Sequence, residues 1–206
     1  MTVTISRLYD NHTQAQSAVQ RLEAAGVPHS DISIVANNSD DWFNADKKVD
    51  RDRDGVDDRA EGAGAGAAVG AGLGGTAGLL AGLGLLAIPG LGPVVAAGWL
   101  AATAVGAAAG AASGGIVGAL TQAGVSEADA HTYAEGVRRG GTLVTARVAD
   151  AERARLEAML NESAVNLRDR SAAWQKSGWK SFDSAGAPYG AEEVRKERQL
   201  YGGGLR

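Results

Sequence analysis

Between Glu61 and Glu127 the chain runs for sixty-five residues without a charged side chain. Glycine recurs there at every fourth position or close to it: Gly62, Gly66, Gly70, Gly74, Gly78 and Gly82. The run Ile88-Pro89-Gly90-Leu91-Gly92-Pro93 reads as a turn. The spacing then resumes as Gly98, Ala102, Gly106, Gly110, Gly114 and Gly118. Residues four apart share one face of a helix. Stripes of small residues let two helices approach closely. The pattern therefore predicts a two-helix hairpin, 62–121, closed by a glycine zipper. Gly64, Gly72, Gly75 and Gly84 supply a second small-residue face and predict self-association into a homo-oligomer.

A membrane is one destination for such a hairpin. About 20 apolar residues span a bilayer core, and 62–87 and 94–121 each exceed that length. Yet 62–87 holds ten glycines, which together oppose a helix in water by roughly 10 kcal/mol. Packing on a partner or burial in lipid has to offset that. Lys47, Lys48, Arg51, Arg53 and Arg59 precede the block and Arg138 and Arg139 follow it, while the turn carries no charge. On the positive-inside rule both termini lie in the cytoplasm of an inner-membrane protein with lipid as a partner. The alternatives are a cytoplasmic oligomer core without lipid and a low-complexity segment.

A formal charge of −4 and the lack of a basic stripe argue against nucleic acid as a partner. There is no cysteine, so thiol chemistry and sulfur-ligated metals are excluded. Met1–Ile5 lacks a basic stretch leading into an apolar one, so no secretory leader is expected.

The flanks of the block have a different grain. Residues 2–9, with Val3 and Ile5 on one face, read as a strand. Asp10 or Asn11 caps a helix carrying Ala15, Ala18, Val19 and Leu22, which Gly26 and Pro28 end. Residues 31–36 form a second strand. Beyond the block, Ser126 and Asp129 resemble a capping box, and Ala130, Tyr133, Ala134 and Val137 line one helix face. Strand 142–148, helix 151–162 with Leu156, Met159 and Leu160 inward, and strand 164–168 with Val165 and Leu167 complete the order. The expected class is α+β: a ferredoxin-like βαβ–βαβ domain, four antiparallel strands with two helices on one face, interrupted by the zipper hairpin. Its parts are 1–36, an acidic linker 37–61, the hairpin 62–121, the second half 122–170, and an aromatic-containing tail 171–206. The tail holds five of the ten aromatics, among them Trp174, Trp179 and Phe182. It reads as a docking segment or as an unstructured one, with a short helix at 191–201.

One stretch matches a metal-binding pattern. Residues 50–61 fit D-x-D-x-D-G-x5-E. Calcium takes six to eight oxygens. Asp50, Asp52 and Asp54 would give carboxylates, Val56 a carbonyl, Asp58 a ligand or its water, and Glu61 two oxygens. Against calcium, Asp57 stands where an apolar residue is preferred, and no amphipathic helix precedes the loop. The competing reading is a solvated acidic linker neutralised by Arg51, Arg53 and Arg59. No other cofactor is expected. The glycine repeats lack the strand–turn–helix setting of a phosphate loop. His12, His29 and His131 are scattered, and Ser126 is better explained as a cap, so no catalytic residues are assigned.

Three runs carry a resemblance: Leu86 to Gly98, Gly124 to His131, and Tyr133 to Val144. Through them residues 1–182 resemble bacterial general-stress proteins of the YflT-like group, in the glycine-zipper form common in alphaproteobacteria. The resemblance implies a stress-induced, often membrane-associated protein without a known reaction, and carries over no catalytic residue. The chain is thus expected to be a non-enzymatic, stress-associated protein that a zipper hairpin anchors or assembles. The alternative is a calcium- or ligand-responsive soluble oligomeric module that uses loop 50–61 as its switch.

Overall fold

The computed structural model describes residues 1–39, 43, 84–88, 90–100, 103 and 115–201. Among the described residues five strands form one antiparallel sheet: β1 (Thr2–Tyr9), β2 (Ile32–Asn37), β3 (Gly84–Ile88), β4 (Gly92–Gly98) and β5 (Thr142–Ala149). Their spatial order is β1-β5-β2-β4-β3. The helices with both ends among the described residues are α1 (His12–Ala24), α2 (Ile116–Gln122), α3 (Glu127–Arg138), α4 (Arg153–Asn161), α5 (Leu167–Lys176) and α6 (Ala191–Tyr201).

Local chemistry sets most of these boundaries. Asn11 caps α1 by accepting a hydrogen bond from Gln14 N–H, and Ser126 caps α3 by accepting one from Asp129 N–H. Gly26 and Gly140, both at positive φ, let the chain leave α1 and α3. Alternation then divides the sheet's side chains between two layers. Ile5, Tyr9, Ile34, Val95, Val144 and Ala146 meet Ala15, Val19 and Leu22 of α1 and Leu156 and Leu160 of α4. Leu8, Val35, Val94, Ala96 and Leu143 meet Ile116 and Leu120 of α2, Tyr133 and Val137 of α3, and Trp174 of α5. Val19 and Leu22 are fully buried, each stabilising by about 1.5–3 kcal/mol.

This α+β sheet differs from the expected ferredoxin-like arrangement in three ways. It has five strands, helices cover both faces, and 164–168 is not a strand. Val165 N–H donates to Leu8 O (2.8 Å) at the edge of β1. Asn166 then accepts from Arg168 N–H and Asp169 N–H and starts α5 instead.

The larger correction concerns the zipper. Residues 84–87 and 94–98 were expected inside its two helices and belong to paired strands of the sheet, Gly84–Ile88 and Gly92–Gly98. The turn at 88–93 is present, but it joins strands: Leu91 N–H donates to Ile88 O (3.0 Å) and Gly90 and Gly92 have positive φ. Among the described residues of the block, helical conformation begins at Trp99. The physical reason is burial on both faces. Val94 and Ala96 enter one core and Val95 and Ala97 the other, so β4 has no polar face and its sequence shows no alternation. Gly98, assigned to helix packing, ends β4 at φ +87, where a Cβ would run into the Ile32 carbonyl and Ser33. Gly118 does lie in a helix, α2. The remaining zipper positions, Gly62, Gly66, Gly70, Gly74, Gly78, Gly82, Ala102, Gly106, Gly110 and Gly114, lie outside the described residues.

Among the described residues no helix is long and apolar enough to cross a membrane. With both expected spans interrupted by sheet strands, the membrane and transmembrane reading is overturned, and inner-membrane placement has no support. Trp99 donates its indole N–H to Asp31 O (3.3 Å) and lies under the Arg147 guanidinium (5.0 Å).

The tail docks on this body. Phe182 and Val194 are buried. Arg138 lies over the rings of Tyr189 (5.0 Å) and Phe182 (5.9 Å), and Arg139 over Trp174 (4.9 Å) and Tyr189 (5.3 Å). A Cβ at Gly90 would strike Phe182 and the backbone of 183–184, and one at Gly92 would strike Pro188. The bare turn between β3 and β4 is therefore the seat of residues 182–188.

Candidate functional site

The missing fourth strand leaves a groove at the outer edge of β1. Its volume is about 470 Å³, and it is lined by Arg7, Leu8, Tyr133, Asn161, Ala164, Val165, Asn166, Leu167 and Arg168. β1 supplies Arg7 and Leu8, α3 supplies Tyr133, and the chain from the end of α4 into α5 supplies the rest.

Arg7 is fixed from several sides. Its Nε donates to Asn161 Oδ1 (2.6 Å), its Nη1 to Ser6 O (2.7 Å), and its Nη2 lies 3.8 Å from Glu157 Oε2. The Tyr133 hydroxyl donates to Ser6 O (2.7 Å). Two of the groove's polar groups thus satisfy the carbonyl that a fourth strand would have covered. Burial pushes the Tyr133 hydroxyl up to about 12, with Arg7 pulling the other way. The phenol stays protonated and is no base near neutral pH. Arg168 is exposed and has no side-chain hydrogen bond or ion pair among the described residues.

A second polar cluster lies at the end of α3. Glu135 is fully buried and its Oε1 accepts from Arg138 Nη2 (2.7 Å) and from Arg139 Nε. Arg139 Nη1 reaches Glu197 Oε1 of α6 (2.6 Å). Burial works to lower the Arg139 guanidinium, but Glu135 and Glu197 outweigh it and hold it above its ordinary value. Arg170 pairs with Asp10 (2.8 Å) and lies over Tyr201 (4.8 Å). This cluster fastens the tail to the body.

The sequence-predicted calcium ligands Asp50, Asp52, Asp54, Val56, Asp58 and Glu61 lie outside the described residues. Among the described residues no group of three or more His, Asp or Glu is placed to hold a metal. Of the residues singled out from the sequence, Tyr133, Val165 and Leu167 line the groove. Sequence reasoning missed Arg7, Asn161, Asn166, Arg168, Glu135 and Glu197. One signal for Arg7 was present: it follows Val3 and Ile5 on the alternation that faces the α1–α4 layer, where a charge stands out.

Comparisons with known proteins found no matching family, no matching curated protein and no matching solved structure.

Proposed function

We propose that the chain is a non-enzymatic, stress-associated protein that acts by binding, with the groove beside β1 as its site. One observation carries this reading: the groove's fixed polar groups are spent on the fold. Arg7 is engaged with Asn161, Ser6 and Glu157, and the Tyr133 hydroxyl with Ser6 O. Among the described residues the lining includes no histidine, carboxylate, serine or threonine. General acid–base and nucleophilic chemistry need a side chain free to exchange a proton or attack near neutral pH, and this lining offers none. A hollow of this size with mixed apolar and polar walls suits small-molecule binding. The resemblance of 86–98 and 124–144 to general-stress proteins supports the stress-associated part.

The test is a thermal-shift screen of the full chain against small-molecule classes, repeated with Val165→Trp, which fills the groove. The reading expects ligands that raise Tm and lose that effect in the variant. A screen without hits, or hits indifferent to Val165→Trp, contradicts it.

A further inference from the structure

The charge around the groove points to a class of ligand. The protein is acidic, with a formal charge of −4, yet among the described residues the groove wall carries two guanidiniums, Arg7 and Arg168, and no Asp or Glu. The carboxylate nearest Arg7, Glu157, stands 3.8 Å from Nη2 and also accepts from Arg153 Nε at 3.1 Å. Arg168 has no carboxylate partner among the described residues. A guanidinium without a carboxylate, at the rim of a hollow, favours a planar anionic group that can accept two parallel hydrogen bonds. Asn161 and Asn166 use their side-chain oxygens on Arg7 and on the first turn of α5. Their amide nitrogens are left as neutral donors beside the two cations.

The rest of the wall is carbon. Leu8 is 2% exposed, and Val165 and Leu167 are partly buried against the same core. With Ala164 they make an apolar bed, and the polar groups flank it. A purely ionic ligand such as inorganic phosphate would leave that bed wet, and a purely apolar one would leave the Arg168 guanidinium unanswered. The volume of about 470 Å³ is on the scale of a small molecule.

The geometry points to an organic anion with an apolar body as the ligand: its charged group at Arg168, its carbon body over Leu8, Val165 and Leu167. This assignment rests on the binding reading above and adds the ligand class. Carboxylate and phosphate-ester head groups share the chemistry, and the apolar body distinguishes both from free phosphate.

Calorimetric titration of the full chain with octanoate, 1-octanol and inorganic phosphate tests it. Octanoate is expected to bind at least tenfold more tightly than either other probe. Arg168→Ala, a change at an exposed residue, should weaken octanoate about tenfold, the loss typical of one charge-assisted contact. Val165→Trp should abolish octanoate binding while the melting transition remains cooperative. Equal binding of octanoate and 1-octanol overturns the anionic class and leaves the binding reading standing. Octanoate binding indifferent to Arg168→Ala overturns the head-group placement. Absence of octanoate binding overturns the ligand class, and only a thermal-shift screen that is also empty removes the site itself.

Discussion

Val194 of α6 sits in a notch made by Gly140. A methyl group at position 140 would overlap Val194 Cγ1, and Gly140 has φ +100. Around this contact Arg198 donates twice to Gly140 O, at 3.2 and 3.0 Å, and Glu197 meets Arg139. Val194, Glu197, Arg198 and Tyr201 lie at the i, i+3, i+4 and i+7 spacing of a single helix face. Gly140→Ala therefore costs both a left-handed backbone conformation and the seat of α6, about 2–3 kcal/mol together. Differential scanning calorimetry should show a fall in Tm of roughly 4–10 °C, and trypsin should cut the 177–190 connection earlier. Gly178 is the control. It has φ +97, and no atom lies within 4 Å of the place a methyl carbon would take, so Gly178→Ala is expected to cost only about 1 kcal/mol.

Glu135 holds two guanidiniums from a fully buried position. Removing one member of such a group strands the rest, at a cost of about 3–5 kcal/mol for a buried pair. Arg138 and Arg139 retain a little exposure, 13% and 11%, so Glu135→Ala is expected to cost about 2–4 kcal/mol. Glu197→Ala removes one pair at the tail only and should cost about 1 kcal/mol. Chemical denaturation of both variants checks the ordering. A Glu135→Ala protein as stable as Glu197→Ala would show that the buried carboxylate is not the centre of the cluster.

How much of this was legible in the sequence follows from which residues face water. β1, α1 and α3 each carry a periodic pattern that a partly exposed element shows, and the helix caps, Asn11 and Ser126, are the standard signals. β4 shows no such pattern because its residues enter two cores at once. With glycine every fourth position on either side, a continuous apolar run is read as a helix. The alternation of Val165 and Leu167 misled in the opposite direction. Asn166 and Asp169 stand at the N-cap and N3 positions of α5, a signal that outweighs a strand of five residues. The groove follows from that failure of pairing, so its residues could not be assembled from sequence.

Gly98 separates the two accounts of the repeat. As a zipper residue it would tolerate alanine, as Ala102 does by composition. In the sheet it pairs with Ser33 at φ +87, and a Cβ would press on Ile32 O. Gly98→Ala is thus expected to lose about 2–4 kcal/mol through strain and lost β2–β4 pairing, read as faster hydrogen exchange across 33–37.

His12 gives the pH dependence. Burial lowers its imidazole from 6.5 to about 4. The unfolded chain then binds the extra proton between those values, so this contribution is full above about pH 6.5 and is lost as pH falls towards 4. The ring keeps partial exposure, which reduces the effect to about 1–2 kcal/mol. Denaturation of the wild type and His12→Gln at pH 7.0 and 4.5 should show the variant losing less stability on acidification by that amount.

The most direct check is the backbone conformation of residues 92–98 in solution. Nuclear Overhauser effects between backbone protons of β2 and β4, across the pairs Val35–Ala96 and Ser33–Gly98, are predicted. Sequential amide contacts and i to i+3 contacts running through 92–98, with none to 33–37, would mean that the segment is helical and that the five-stranded sheet is wrong.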